Sequence, residues 1–600
     1  MRRGCGAPRA RRVLLLAALA LVALPAQATI RYAVSVTQPE QHQFRVTMTI
    51  PDVRQQVVVQ MPAWNALYQI RDFAHRVTAL RAADEASKAL PVTKLDKQTW
   101  RISGHGAITV RYLVYWDEPG PFSSQLNSSH AFLNLATILF YVPERRGEET
   151  RIVFYDLPPA WRVAVELPPE GMAAGRSSAA YVAPGYDALV DAPVELGAFE
   201  EFRLDGVGSR VRVVVHGDNW KRDLLNEILR RIVSYETQLM RGAPFEQYLF
   251  IYHIGSGAGG ATGGMEHANS TAIHVASMAN VADVTAHEFF HLWNVKRIRP
   301  ESLEPVDYTR EQWTRALWFA EGVTSSYASY TLVRTSLWSR GQFYEDLASQ
   351  ITELESRPAR RWQSAEQTSL DAWLEKYPLY RRPDFSISYY NKGQLLGVLL
   401  DILIRDATDN RAGLDDLMRA LNDDFARRGR VYRDSLDIRA EAERLAGRSL
   451  EEFFSSYVAG TEELPCEDYL ARAGLVLKPG GGTRPEFGFL VSSGPDGASV
   501  ATQVQLYTPA ERAGVREGDV LVALNGAPFP RHPERWLREH RPGETVRLRL
   551  RRGTSETEVS FALGERQERA YIVAEAPNPT AKQRRILEGI LRGTTDGPRQ

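Results

Sequence analysis

His287 and His291 stand four residues apart in the run His287-Glu288-Phe289-Phe290-His291. On a helix this spacing places both imidazoles on one face about a turn apart, the separation two ligands of a tetrahedral zinc ion need. Glu288, one residue after the first imidazole, leans toward the water such an ion would hold, where a carboxylate can take a proton. Ala286, Phe289, Phe290 and Trp293 supply an apolar opposite face, and Pro300 stops the segment. The pattern predicts one zinc ion per chain. Two structural histidines on an ordinary helix would look the same in isolation, so the third ligand decides.

A third histidine of the HExxHxxGxxH type would require glycine at 294 and histidine at 297, where the chain has Asn294 and Arg297. Cysteine ligation is closed as well. Only Cys5 and Cys466 exist, and Cys5 lies in a leader expected to be removed. A glutamate on a later helix is the other common solution. Glu321 sits in Trp318-Phe319-Ala320-Glu321-Gly322-Val323-Thr324, among apolar residues where a carboxylate is costly unless it meets a cation. Glu301, Glu304 and Glu311 lie in a polar, turn-rich stretch and read as solvated surface. The expected metal set is therefore His287, His291 and Glu321.

HEFFH followed by Trp-x-x-Glu-Gly resembles the gluzincins, which include thermolysin and aminopeptidase N. The extension HLWNVKRIRP (residues 291–300) is closely similar to the bacterial glycyl aminopeptidase family of PDZ-bearing gluzincins. The resemblance spans nearly the whole chain after the leader. It implies a multidomain α+β protein: an N-terminal β-sandwich-like domain, a thermolysin-like and mostly helical zinc peptidase domain, and a C-terminal PDZ domain. It also implies removal of N-terminal residues from peptides, preferentially glycine, with alanine the other residue considered.

Gly263-Gly264-Met265-Glu266-His267 is similar to the Gly-x-Met-Glu-Asn segment with which aminopeptidase N-like enzymes hold the substrate's free amino group. The resemblance assigns Glu266 to that ammonium, with Gly264, Met265 and His267 beside it; His267 departs from the asparagine. A carboxylate near the metal would pair with an ammonium and block longer N-terminal extensions. A loop glutamate after a glycine turn is the plain alternative. Ser388-Tyr389-Tyr390-Asn391-Lys392-Gly393 resembles the segment carrying the oxyanion-stabilising tyrosine of the same enzymes, aligned with Tyr390; Tyr389 is the neighbouring alternative. Residues 255–260 formally match GxGxxG, but Ala261-Thr262-Gly263-Gly264 follows where a nucleotide fingerprint needs a helix. They read as a loop of the active site.

The elements that must position these residues follow from periodicity. Phe44, Val46, Met48 and Ile50 alternate with polar neighbours, as do Ile108, Val110, Tyr112 and Val114, so residues 29–206 read as a β-domain flanking a cleft. Residues 207–477 form the catalytic domain: strands near 211–215 and 248–254, a helix near 223–240, then helices with a loop-rich connection at 356–384. A glycine-rich linker at 478–484 precedes a PDZ domain at 485–570, marked by AGVREGDVLVALNG (residues 513–526). Phe487-Gly488-Phe489-Leu490 would be its carboxylate-binding loop, open to peptide C-termini, and a packed, ligand-free cover over the catalytic cleft is the equal alternative. A tail at 571–600 contains a short helix near 581–593.

Arg2, Arg3, Arg9, Arg11 and Arg12 precede an apolar run at residues 13–24 and a small-x-small site before Thr29. That is the layout of a secretory signal peptide over residues 1–28, which implies a periplasmic or secreted enzyme with no span after cleavage. What remains carries 68 basic and 73 acidic residues, a balance that argues against nucleic-acid binding. A zinc metallo-aminopeptidase acting on peptides with free N-termini is the leading expectation. The alternatives are a zinc endopeptidase of the same fold and a PDZ-based adaptor or chaperone with a vestigial metal site.

Overall fold

The two alternating runs of the N-terminal region are hydrogen-bonded neighbours. Strand Gln43–Val53 pairs antiparallel with Gly106–Tyr115, matching Phe44 to Val114, Val46 to Tyr112, Met48 to Val110 and Ile50 to Ile108. All eight side chains are buried, because a period of two commits alternate residues to one face. These strands are central to a seven-stranded sheet, which packs with a four-stranded and a three-stranded sheet into a β-rich domain. The computed structural model describes residues 29–596 except 66–67, 171–177, 208–209, 256–261, 380–381, 481, 494–497, 531 and 568–570. The leader at 1–28 and nearly all of the glycine run lie outside the described residues.

The catalytic domain opens on a five-stranded sheet. Its order is Glu200–Leu204, Arg210–Gly217, Gln247–Ile254, Ser270–Val275 and, at the edge, Gly263–Glu266. Strand Glu200–Leu204, on the N-terminal side of residue 206, pairs antiparallel with Arg210–Gly217 and so belongs to this sheet. The long apolar helix is Tyr389–Thr408, started by Ser388, whose hydroxyl accepts from the Asn391 amide. It is buried along most of its length, and helices Val281–Phe290 and Thr324–Arg334 share its core.

The C-terminal module is inserted rather than appended. Leu475–Pro479 pairs antiparallel with Tyr571–Glu575, and Thr483–Glu486 with Gly564–Gln567, so the strand-rich PDZ unit hangs between two paired stems. Lys478 and Pro479, read as linker from the neighbouring glycines, complete a strand. Beyond the stem, helix Ala581–Arg592 carries a capping box between Thr580 and Gln583 and buries Ile586, Leu587, Ile590 and Leu591 in the catalytic core. The tail is part of that core. No helix among the described residues is long and apolar enough to cross a membrane.

Candidate active site

Helix Val281–Phe290 runs behind the edge strand and ends at His291. His291 Nδ1 lies 2.8 Å from the Asn294 carbonyl oxygen, which requires a proton on Nδ1 and makes Nε2 the nitrogen that the neutral ring would offer to an ion. Ser325 Oγ donates to the Glu321 carbonyl at 3.0 Å and lies 3.4 Å from His287 Nδ1, which orients the second ring in the same way. The two Nε2 atoms are 3.0 Å apart, and Glu321 Oε2 lies 3.2 Å from His291 Nε2 and 3.4 Å from that of His287. Ligands about 2.0–2.1 Å from a tetrahedral zinc ion are separated by roughly 3.3 Å. Two imidazole nitrogens and a carboxylate at this spacing fit such an ion, and no cysteine is needed.

Electrostatics agree with the geometry. Burial opposes ionisation of Glu321, but His291 and His287 outweigh it and hold its carboxyl well below the usual range. Burial likewise opposes charging His291, yet Glu321 and Glu266 push it up to about 10. The pocket thus favours a positive charge among these three groups.

Glu321 is delivered by an unusual turn. Residues Trp318–Val323 wind as a π-helix that continues directly into helix Thr324–Arg334. Buried Asn294 clamps it: its amide donates to the carbonyls of Phe319 at 2.8 Å and Ala320 at 3.3 Å, and to Thr324 Oγ1 at 3.0 Å. Sequence reasoning used Asn294 only to exclude a third histidine and missed this role. Next to it, the β-branched Val295 sits at φ 99°, a conformation costing on the order of 1–3 kcal/mol. The strained turn carries the Asn294 carbonyl to His291 and its amide to the Glu321 turn.

Glu288 is buried beside these three groups. Burial pushes its carboxyl well above the ordinary range, Glu266 and Glu321 adding to the shift while His291 opposes it. A Cβ at Gly264 would lie 2.3 Å from Glu288 Cγ, so only glycine lets the edge strand pass this close. Ligating atoms of Glu266, Glu288 and His291 all lie within 4.8 Å of one another. Strand Gly263–Glu266 pairs with Ser270–Val275 and thereby sets Glu266 at the cleft. Met265 Sδ accepts from Asn134 of the β-rich domain at 3.2 Å. His267 is buried, with Nδ1 3.2 Å from Asp191 Oδ1; Lys296 Nζ lies 2.8 Å from the same oxygen.

Tyr390 lines the cleft with its ring 6.0 Å from that of His287, whereas Tyr389 is 1% exposed and belongs to the core. The cleft, about 160 Å³, is closed on one side by Trp64, Asn65 and Tyr68 of the β-rich domain. Tyr68 packs edge-on against Trp373 at 5.8 Å, and Trp64 donates to the Asp307 carbonyl. Nothing in the local sequence of this loop marks it as part of a catalytic centre. Its role arises only when two domains meet.

Residues 31–198 match the model of the Peptidase M61 N-terminal domain, residues 280–396 that of the M61 glycyl aminopeptidase, and residues 500–552 a PDZ domain. The second match contains His287, Glu288, His291, Glu321 and Tyr390 but stops short of Glu266. No curated protein sequence gives a match. Among solved structures, an aminopeptidase N family protein from Idiomarina loihiensis is similar at TM-score 0.84 and 24% identity, over 94% of this chain and 100% of that chain. An M1 zinc metallopeptidase from Deinococcus radiodurans is similar at TM-score 0.46 and 14% identity, over 73% of this chain and 95% of that chain.

Proposed function

We propose that this chain, a metallopeptidase belonging to the M61 glycyl aminopeptidase family, is a zinc aminopeptidase that removes small N-terminal residues, glycine above all, from peptides. The observation that carries the reading is the Glu266 carboxylate, whose oxygen lies within 4.8 Å of ligating atoms of Glu288 and His291 at the end of the edge strand. An ammonium paired with Glu266 would bring the first peptide bond to the metal set, and the wall of Trp64 and Tyr68 leaves little room for further residues.

His287, His291 and Glu321 would hold the ion. Zinc there would supply Lewis acidity toward the scissile carbonyl and the attacking water. Glu288 takes the proton of that water and passes it to the leaving amine, a role its buried and raised carboxyl suits. The Tyr390 hydroxyl donates to the carbonyl oxygen as charge develops on it. Glu266 anchors the amine, Gly264 keeps the strand close enough to do so, and Met265 and His267 tie the segment to the neighbouring domain. The arginine-led leader supports action outside the cytoplasm, and the edge strand Leu490–Ser493 supports docking of a peptide strand on the PDZ module.

The discriminating experiment compares free and N-acetylated glycyl peptides with and without a zinc chelator. Rapid release of N-terminal glycine, lost on acetylation and on chelation, is expected. Equal cleavage of acetylated and free peptides at internal bonds would replace the aminopeptidase reading with an endopeptidase.

A further inference from the structure

Two cavities meet at His287, Glu288 and Tyr390. The cleft of about 160 Å³ holds Glu266 and is closed by Trp64 and Tyr68. A larger one, about 380 Å³, shares those three residues and continues past Gly263. Glu266 and Gly263 are the two ends of one edge strand, whose outer side pairs with no other strand among the described residues. A peptide with its ammonium on Glu266 and its backbone along that open edge runs antiparallel to the strand, toward Gly263. Its first residue fills the closed cleft, its first peptide bond faces Glu288, and its second residue enters the larger cavity.

The wall of that cavity repeats one relationship on three helices. Residues four apart on a helix share a face, about one turn from each other. Asp283 precedes His287 by four on helix Val281–Phe290, Ser329 follows Ser325 by four on helix Thr324–Arg334, and Gln394 follows Tyr390 by four on helix Tyr389–Thr408. Each pair links the catalytic centre to a lining residue one turn away. Two of these lining residues hold a carboxylate. Ser329 Oγ donates to Asp346 Oδ2 at 2.8 Å, and Gln394 Nε2 donates to the same oxygen at 2.9 Å. Gln350 Nε2 donates to Asp346 Oδ1 at 3.2 Å. Asp346 is thus fixed one turn beyond the centre by the same helices that carry Ser325 and Tyr390.

All three donors are neutral, so they place the charge without cancelling it. His287 aside, no histidine, lysine or arginine lines this cavity among the described residues. Burial pushes the Asp346 carboxyl above the ordinary carboxylate value, and the three hydrogen bonds offset this only in part. A cation carried in by the substrate would offset the rest. Asp283 adds a second carboxylate at the exposed side of the cavity. Trp338 supplies an apolar wall suited to the methylene stem of a long cationic side chain. A glutamate in the same place would meet two like charges.

Building on the aminopeptidase reading, which sets the direction of the bound peptide, we propose that Asp346, assisted by Asp283, selects peptides whose second residue is lysine or arginine. The stem of that residue lies along Trp338 and its cation pairs with Asp346. The preferred substrates are peptides in which glycine precedes a basic residue.

The test scores which residue follows the cut bond, wherever the cut falls. Whole zinc-loaded protein is given a peptide pool with glycine first and lysine, arginine, leucine or glutamate in each later position, presented free and N-acetylated. Mass spectrometry of the products gives relative kcat/KM by competition. Bonds followed by lysine or arginine should be cut about tenfold or more faster than those followed by leucine, and those followed by glutamate slowest. In Asp346→Asn the lysine-to-leucine ratio should fall toward one, and in Asp283→Asn it should fall less. Each ratio is taken within one preparation, so a loss of folded protein cancels. Equal cutting before lysine, leucine and glutamate by the native protein, or an undiminished ratio in the double variant, would overturn the proposal. Internal cuts in acetylated peptides would instead overturn the aminopeptidase reading, and the residue after each such cut would still decide the role of Asp346.

Discussion

Gly322 and Gly393 meet backbone to backbone beside the cleft: a Cβ on Gly322 would lie 2.4 Å from Gly393 Cα, and one on Gly393 2.2 Å from the Trp318 carbonyl oxygen. The contact joins the π-helical turn bearing Glu321 to the first turn of the helix bearing Tyr390. Backbone stands on both sides, so no side-chain rotation relieves an added methyl. Gly322→Ala is expected to destabilise the fold by at least the ~1–3 kcal/mol usual for overpacking. Metal content and turnover should fall with it, because Glu321 and Tyr390 are displaced together. Melting temperature and zinc content measured side by side check this; native values for both would show that the two turns can slide freely.

Glu288 and Glu321 are both buried carboxylates near His291, yet they should fail differently. Glu288→Gln keeps the size and a hydrogen-bonding head but cannot accept the water's proton. It should retain zinc and lose at least the ~10²–10⁴-fold typical of a positioned proton transfer. Glu321→Ala leaves two bare imidazoles without their carboxylate, so it should lose zinc at the catalytic site. Full activity in Glu288→Gln would remove that residue from the chemistry.

What the sequence disclosed and what it hid divides along range. The spacing of His287 and His291 is a one-turn relationship, and the alternation around Phe44 and Ile108 is a one-strand relationship; both are written locally. Glu321 was recognisable because a carboxylate among Trp318, Phe319 and Ala320 demands a cation. The covering loop at Trp64 and Tyr68 was not, since its neighbours Tyr308 and Trp373 are hundreds of residues away. Helix Ala365–Leu379 lies in the stretch read as a loop-rich connection: its buried face is Ala365, Thr368, Ser369, Ala372 and Trp373, mostly small or polar, while Leu374 is exposed, so no apolar stripe marks it. The return of Tyr571–Glu575 to pair with Leu475–Pro479 is likewise a contact between distant segments, invisible to a reading that moves along the chain.

Lys392, in the turn after Tyr390, is 2% exposed, and burial brings its ammonium down to about 8. A cation whose folded pKa lies below its unfolded value near 10.4 destabilises the protein below about pH 8. The unfolded chain binds the extra proton between those two values, so stability rises with pH across that window and the penalty is gone above it. Lys392→Met should therefore stabilise the protein at pH 7 by on the order of 1–3 kcal/mol. The advantage should shrink steadily between about pH 8 and 10. Denaturant melts of both proteins at pH 7 and pH 10 decide it, and an advantage independent of pH would assign the gain to packing alone.

On the proposed reading, Glu266 is the residue that separates an exopeptidase from an endopeptidase. Its carboxylate stands at the end of strand Gly263–Glu266, with ligating atoms of Glu288 and His291 within 4.8 Å, yet it is not one of the three groups converging at 3.0–3.4 Å. Removing it should leave the zinc in place. A charge-assisted bond from a substrate ammonium contributes roughly 1.5–3 kcal/mol, or about ten- to a hundredfold in kcat/KM. The loss grows if the same contact sets which peptide bond faces Glu288. Glu266→Ala is thus expected to keep its catalytic metal and cleave free glycyl peptides at least tenfold more slowly. Its activity on N-acetylated peptides, expected to be poor in the native protein too, should be nearly unchanged, because those substrates carry no ammonium to lose. An equal drop on both kinds of peptide would mean that Glu266 acts on the metal site or on Glu288, and the amine-anchoring role would be withdrawn.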